Sequence, residues 1–237
     1  MRAVNIVGYK DSGKTTLAVG LIAALKKRGL DPAAVKLSHE TGLDKAGTDT
    51  CELLQEAKAV GAVAAQESAV FWRQAKQLHS LLPLLGADMV VVEGGKDLAV
   101  MPRIVVAKDA AQARRLGAGS GGLALAVYGP QGVDDVPAIQ DLEALAELAA
   151  GRSFLLPGLD CQACGFASCR HLAALIVAGL AGPDQCQALA SPVDIQVNGR
   201  PLALNPFAAR IIGSAVRAML AELKDYSPGQ TVLTLRS

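Results

Sequence analysis

Aromatic side chains are scarce in this chain: they make up 3% of its 237 residues, although 51% of them are hydrophobic. A core without large rings has to be assembled from Ala, Val, Leu and Ile, which suits a buried parallel sheet between helices. Charge of either sign is nearly balanced, at a net +1 and a pI near 7.6, and no basic tract is present. The electrostatic grounds for expecting nucleic acid or a membrane surface as a partner are therefore missing. Long apolar runs are missing too. Leu172 to Ala181 falls well short of the roughly 20 residues a spanning helix needs. The first residues enter a strand pattern at once, leaving no room for a secretory leader, so the expected location is cytoplasmic. Five cysteines in such a reducing compartment do not form a disulfide framework. The length allows one large domain or two modest ones.

What the chain does contain starts at its eighth residue. Gly8-Tyr9-Lys10-Asp11-Ser12-Gly13-Lys14-Thr15 has the spacing of a complete P-loop. Ala3 to Val7 reads as a buried strand before it, and Thr16 to Arg28 as a helix after it, with Leu17, Gly20, Leu21, Ala24 and Leu25 on one face. Between strand and helix, backbone N–H groups and the positive end of the helix dipole would meet an anion. The phosphate-binding set is then Gly8, Lys10, Ser12, Gly13, Lys14, Thr15 and Thr16. Lys14 is placed to reach the outer phosphates, and the Thr15 hydroxyl to ligate Mg²⁺.

Further along, 30–37 reads as a second strand that runs into a polar stretch, 38–50, where a nucleotide-sensing switch would sit. Helix is expected over 51–60, a short strand pair over 62–67 and 68–72, and helix over 74–85. Asp88 to Gly95 reads as a central strand ending in a carboxylate and two glycines. An acid at the end of a buried strand in the same sheet as a P-loop is where a Walker B residue holds Mg²⁺ through water, which points to Glu93. Gly94 and Gly95 allow close approach of backbone to phosphate. Asp44 and Asp49 are weaker candidates for Mg²⁺ or water positioning, and His39 for a phosphate or proton. Strands over 104–107 and 123–127 and a helix over 141–150 complete an α/β domain with a mainly parallel sheet, placed at 1–152. No Asn-Lys-x-Asp stretch is present to read guanine, so ATP and GTP both remain open. No arginine finger or water-positioning glutamine stands out, which fits slow turnover.

Residues 153–237 form the second expected unit, small and α-rich. Cys161, Cys164, Cys169 and Cys186 follow the pattern C-x2-C-x4-C-x16-C, while Cys51 stands apart. A helix over 169–180 followed by Pro183 would bring Cys186 back as a fourth thiolate. Thiolate-only sets suit tetrahedral Zn²⁺ or an iron–sulfur cluster. The uneven spacing favours a 4Fe–4S cluster, with Zn²⁺ as the runner-up. Beyond it, 193–200 reads as a hairpin turning at Asn198-Gly199. An amphipathic helix is expected over 207–223, with Ile211, Ile212, Ala215, Met219 and Leu220 packing on its own or a partner's core. The tail 224–237 reads as a last strand or an extended arm.

Four segments together resemble the molybdopterin-guanine dinucleotide biosynthesis protein B family: the loop from Gly8 to Leu17, Val35-Lys36, Asp44 to Thr50, and Val92-Glu93-Gly94-Gly95-Lys96. The resemblance spans roughly the first 110 to 150 residues. Where that family carries a His-rich stretch this chain has His39 alone, and Glu-Gly-Phe-Lys becomes Glu93-Gly94-Gly95-Lys96. The resemblance implies a P-loop fold, a homodimer, weak GTPase activity and an accessory role beside the transferase that attaches GMP to molybdopterin. It implies that Gly13, Lys14, Thr15 and Thr16 bind phosphate, with Asp49 and Glu93 near Mg²⁺. Leu156 to Cys169 is similar to the small four-cysteine domain of electron-transport complex B subunits and corrinoid iron–sulfur proteins, which carries a 4Fe–4S cluster. The expected function is thus a GTP- or ATP-binding accessory protein of molybdenum or tungsten cofactor assembly, docking on the transferase or a molybdo- or tungsto-enzyme. Two alternatives are a metallocentre maturation or activation ATPase that delivers a metal or an electron, and a non-enzymatic iron–sulfur module.

Overall fold

The computed structural model describes residues 1–191, 193–197, 200–224, 226–227, 229 and 231–232. Its centre is a five-stranded sheet in which β1 (Arg2–Gly8), β2 (Pro32–Lys36), β5 (Met89–Glu93), β6 (Arg103–Val106) and β7 (Ala124–Tyr128) run parallel in the order β2-β5-β1-β6-β7. Two-residue alternation divides these strands between two covered faces. Val4, Ile6, Met89, Val91, Ile104 and Val106 face a core built with α1 (Lys14–Lys27) and α5 (Leu142–Arg152). On the other face, Ala3, Val90 and Val92 pack with Leu78, Leu82 and Met101, and Val7 and Val105 pack with α4 (Ala110–Arg115). Leu21 and Leu25 of α1 are fully buried, and truncating either to Ala would cost about 2–5 kcal/mol.

Sheet order fixes where a ligand can bind. β1 has β5 on one side and β6 on the other; the chain passes from β1 to β2 on the β5 side and, after β5, crosses to β6 on the opposite side. The crevice at the carboxyl ends of strands around such a switch point is where open α/β sheets take ligands. Gly8 ends β1 there, and the register sets Ile6 opposite Glu93 at the end of β5.

The sequence-based boundaries hold for β1, β5 and α5 and shift elsewhere for identifiable reasons. Helix α2 covers Asp49–Glu56 rather than 51–60, because Ala59–Val63 (β3) pairs antiparallel with Ser68–Trp72 (β4) and takes the residues assigned to the helix end. The segment 64–67 is the turn of that hairpin, closed by Ala64 N–H to Glu67 C=O at 2.8 Å. The helix expected over 74–85 shrinks to α3 (Leu78–Leu81) and a 3-10 turn, Leu82–Leu84. Pro83 offers no N–H to continue it. Helix α4, capped by the Asp109 carboxylate on Gln112 N–H, is an element the sequence reading does not anticipate.

Beyond α5 the chain runs extended into α6 (Cys169–Val177), which stops short of residue 180 where Gly179 turns with φ 75°. Phe154 and Leu156 pack with Leu172, Ala173, Ile176 and Cys186 into a separate small core that also uses Leu123. A two-residue ladder joins β8 (Gln196–Val197) to β9 (Arg200–Pro201); its expected turn, Asn198-Gly199, lies outside the described residues, as does most of the 224–237 tail. Helix α7 (Pro206–Ala221), capped by Asn205, leaves much of its apolar stripe uncovered by this chain. Only Ala209 and Gly213 are buried, while Ile211 and Met219 are 50% and 64% exposed. A Cβ on Gly213 would lie 2.8 Å from Val193, so this face of the helix packs against the segment that precedes β8.

Candidate functional site

The loop after β1 is shaped by close backbone approach. A Cβ at Gly8 would collide with Ser12 Oγ and the Val106 carbonyl, so only glycine fits there. Asp11 at φ 58° and Gly13 at φ 88° turn the chain left-handed before α1 begins. Gly13 is the N-cap and contributes no side-chain acceptor. The first-turn N–H groups thus face the loop interior without a capping oxygen, the condition for binding an anion. Ser12 Oγ is buried with no hydrogen-bond partner among the described residues, an orphan that a phosphate oxygen would satisfy. Lys14 Nζ bends over the loop and donates to the Tyr9 carbonyl at 2.6 Å. These donors and their spacing fit a polyphosphate.

Thr15 Oγ1 donates to Glu93 Oε1 at 2.8 Å, which joins the expected Mg²⁺ hydroxyl to the expected Walker B carboxylate across 78 residues of sequence. The Glu93 side chain is 14% exposed, with Lys36 Nζ at 3.9 Å from the same oxygen. Asn5, fully buried on β1, donates from Nδ2 to the Gly94 carbonyl at 2.6 Å, and Gly94 N–H donates to Ile6 C=O. Gly94 has φ 90°, and a Cβ on it would lie 2.6 Å from the Leu37 carbonyl. Asn5 and Gly94 together hold the strand end that presents Glu93. Lys96 Nζ sits 4.4 Å over the Tyr9 ring of the loop. Among the described residues, Lys10 and Thr16 are exposed and make no side-chain hydrogen bond.

Asp44 in the 38–50 stretch has local partners. The Asp44 carboxylate accepts from Thr48 Oγ1, Thr50 Oγ1 and Lys45 N–H, so it organises its own loop. Asp49 opens α2 behind the Thr48 cap, and α2 packs on β3. No hydrogen bond or ion pair among the described residues joins Asp49 or His39 to Lys14, Thr15 or Glu93.

Segment 94–102 leads from Glu93 to the cysteine region. Ala99 and Val100 pack in the small core with Cys164, Cys169 and Cys186, and Leu156 N–H donates to Val100 C=O at 2.8 Å. Arg103 braces this segment from inside by donating to the Leu98 carbonyl at 2.6 Å and the Leu116 carbonyl at 3.0 Å. Burial pulls its guanidinium below its ordinary range, nearby Arg170 adds to that, and Asp97 opposes it. Neither Asn5 nor Arg103 stands in a motif, and their only sequence signal is a polar residue inside an apolar strand, whereas Lys96 closes the segment Val92 to Lys96 that carries the family resemblance.

All four expected ligand cysteines are free thiols. Cys186 is 5% exposed inside the small core, Cys164 and Cys169 pack against that core, and Cys161 lies half-buried outside it. Asp160, Gln162 and Gly165 have positive φ and wrap the loop tightly, and the Asp160 carboxylate accepts from Cys169 N–H at 2.7 Å. Burial pushes the Cys169 thiol up, Asp160 acts in both directions through its hydrogen bonds and charge, and Cys186 adds to the rise. No group of three or more His, Cys, Asp or Glu among the described residues converges to ligating distance. The donor set fits a thiolate-bound metal or cluster in composition, with the apolar surroundings such a group favours.

A parallel sheet whose switch point carries this loop and a strand-end acid defines the P-loop NTPase-type α/β class. Residues 3–127 match the family "Molybdopterin guanine dinucleotide synthesis protein B", and residues 156–188 match the family "Putative Fe-S cluster". A protein from Methanocaldococcus jannaschii, described as "Putative molybdopterin-guanine dinucleotide biosynthesis adapter protein", is 30% identical over 239 residues, covering 98% of this chain and 96% of its own. The "Molybdopterin-guanine dinucleotide biosynthesis adapter protein" of Escherichia coli is 31% identical over 112 residues, or 44% of this chain and 63% of its own. The crystal structure of Bacillus subtilis MobB superposes with a TM-score of 0.51 at 20% identity, over 64% of this chain and 97% of that one, a likeness of fold. The chain belongs to the molybdopterin guanine dinucleotide synthesis protein B family.

Proposed function

We propose that this chain is a nucleotide-dependent adapter in molybdopterin guanine dinucleotide assembly. It binds GTP or ATP with Mg²⁺ in the Gly8–Thr15 loop, hydrolyses it slowly and docks on its partner enzyme according to the nucleotide held. The observation that carries the reading is the Thr15–Glu93 hydrogen bond at 2.8 Å, which sets a hydroxyl and a carboxylate together at the mouth of the loop. Mg²⁺ would supply positive charge that offsets the negative charge of the outer phosphates. Thr15 and Glu93 are the residues to hold it, with Asp49 as the further acid that the family resemblance implies. Lys14 leaves the Tyr9 carbonyl for phosphate oxygens, the first-turn N–H groups and Ser12 Oγ grip the inner phosphate, and the glycines at 94 and 95 let the strand end follow the loss of the outer one. Cys161, Cys164, Cys169 and Cys186 hold a 4Fe–4S cluster or, second, Zn²⁺. The adapter works as a homodimer in the cytoplasm, and the partner is the transferase that attaches GMP to molybdopterin or an enzyme that receives the product.

The test is association of the purified chain with that transferase, measured with a non-hydrolysable triphosphate, with diphosphate and with neither. Affinity that changes at least tenfold with the nucleotide, and a Lys14→Ala chain locked at the nucleotide-free value, are expected. Equal affinity under all three conditions would reject the adapter switch.

A second reading, an activation ATPase that delivers a metal or an electron, is favoured by segment 94–102, whose ends touch the loop and the cysteine core. ATP-dependent reduction of an acceptor would support it. A cluster that never changes oxidation state would remove the electron version.

A further inference from the structure

The β3–β4 hairpin and the chain around β8 and β9 enclose a groove of about 830 Å³ that shares no residue with the phosphate loop. Its volume lies inside the range of about 300–1,000 Å³ typical of small-molecule sites. Trp72, the one tryptophan of the chain, is partly buried and lines the groove. Strand pairing sets Ala59 opposite Trp72, and Arg73 N–H donates to the Lys58 carbonyl at 3.2 Å, so Lys58 and Arg73 stand beside the indole on neighbouring strand ends. Lys76 completes a set of three cations against one acid, Glu56, a net +2 along the lining. Lys58 and Lys76 make no ion pair among the described residues. The Arg73 guanidinium is oriented by Nε donating to the Leu54 carbonyl at 3.0 Å, which leaves its outer N–H groups for another acceptor. Val197 and Leu202 close the far wall. Both lie in a segment beyond the stretches matched by either family, 3–127 and 156–188.

We propose that this groove is a second binding site, for a small phosphorylated planar heterocycle that stacks on Trp72 with its phosphate among Lys58, Arg73 and Lys76. An indole face takes any flat π-system. An oriented guanidinium and two unpaired ammonium groups favour a phosphate over a neutral or monoanionic carboxylate ligand. Val197 and Leu202, 54% and 52% exposed, offer apolar surface to the ring. The site stands independently of the nucleotide reading, because its residues are separate from the loop.

Trp72 reports on the groove directly. The full chain carrying Lys14→Ala, with its phosphate loop disabled, is titrated with a pterin monophosphate while tryptophan emission is followed, in parallel with the unphosphorylated pterin and with inorganic phosphate. Expected are saturable quenching by the pterin monophosphate and binding at least about tenfold weaker for either fragment, since each lacks one half of the recognition. The Lys58→Ser/Lys76→Ser double variant loses at least about tenfold in affinity, and Trp72→Leu, followed by calorimetry, loses a similar factor. Quenching without saturation overturns the proposal. So does affinity unchanged in the double variant, or inorganic phosphate binding as tightly as the pterin monophosphate, which would reduce the groove to an unselective anion patch. Nucleotide binding by the unsubstituted chain is measured separately, so that failure of one site is not read as failure of the other.

Discussion

The phosphate-loop half and the cysteine half are both rich in ligating groups, and they hold them in opposite ways. In the first, an open parallel sheet fixes the strand ends, and Thr15 and Glu93 meet at 2.8 Å. Positioning comes from buried backbone pairing and from Asn5, a fully buried side chain whose Nδ2 bonds to Gly94 while its Oδ1 has no partner among the described residues. In the second, Cys161 and Cys164 sit on a loop bent at Asp160, Gln162 and Gly165, Cys169 starts α6, Cys186 lies beyond that helix in the small core, and no three converge among the described residues. The comparison separates a site whose groups the fold brings together from one whose thiols stand apart.

The largest effect that would sharpen this contrast is expected in the cysteine half. Replacing Cys161, Cys164 and Cys169 together by Ala should abolish bound iron and sulfide in protein purified without oxygen, and lower the unfolding temperature of 153–224 while leaving nucleotide binding intact. A single unfolding transition that drops as a whole would mean that the halves are one cooperative unit. Next in size is Gly94→Ala. With φ 90° and 2.6 Å to the Leu37 carbonyl, it should cost about 1–3 kcal/mol in denaturant unfolding and uncouple Glu93 from Thr15, seen as weakened Mg²⁺ dependence. Glu93→Gln keeps the shape and removes the charge. It should raise the Mg²⁺ concentration needed for nucleotide binding by about tenfold, a loss of about 1.4 kcal/mol, with unchanged stability. Smallest is Lys36→Met. Its Nζ is 65% exposed on the side chain and 3.9 Å from Glu93, so stability should move by less than about 0.5 kcal/mol.

The loop was legible in sequence because its eight residues are contiguous and their roles depend on local backbone geometry. Glu93 was legible because an acid closing Met89–Glu93 has few explanations. The cysteines showed through spacing, although spacing could not say how far apart the thiols stand. What escaped depends on tertiary contact. The Asn5–Gly94 bond spans 89 positions, and nothing around Asn5 marks it except polarity within an apolar strand. Helix α7 carried a clear apolar stripe, and the pattern could not reveal that Ile211 and Met219 would remain exposed. Pro83 and the β3–β4 pairing moved helix ends that periodicity alone had set.

The most direct measurement for the central claim is an equilibrium titration of the full chain with fluorescent GTP and ATP, with and without Mg²⁺, alongside Lys14→Ala. The account predicts saturable, Mg²⁺-dependent binding of at least one of the two, weakened about 10- to 100-fold by the loss of a charge-assisted phosphate contact. Binding of neither nucleotide, or binding indifferent to both Mg²⁺ and Lys14, would contradict it.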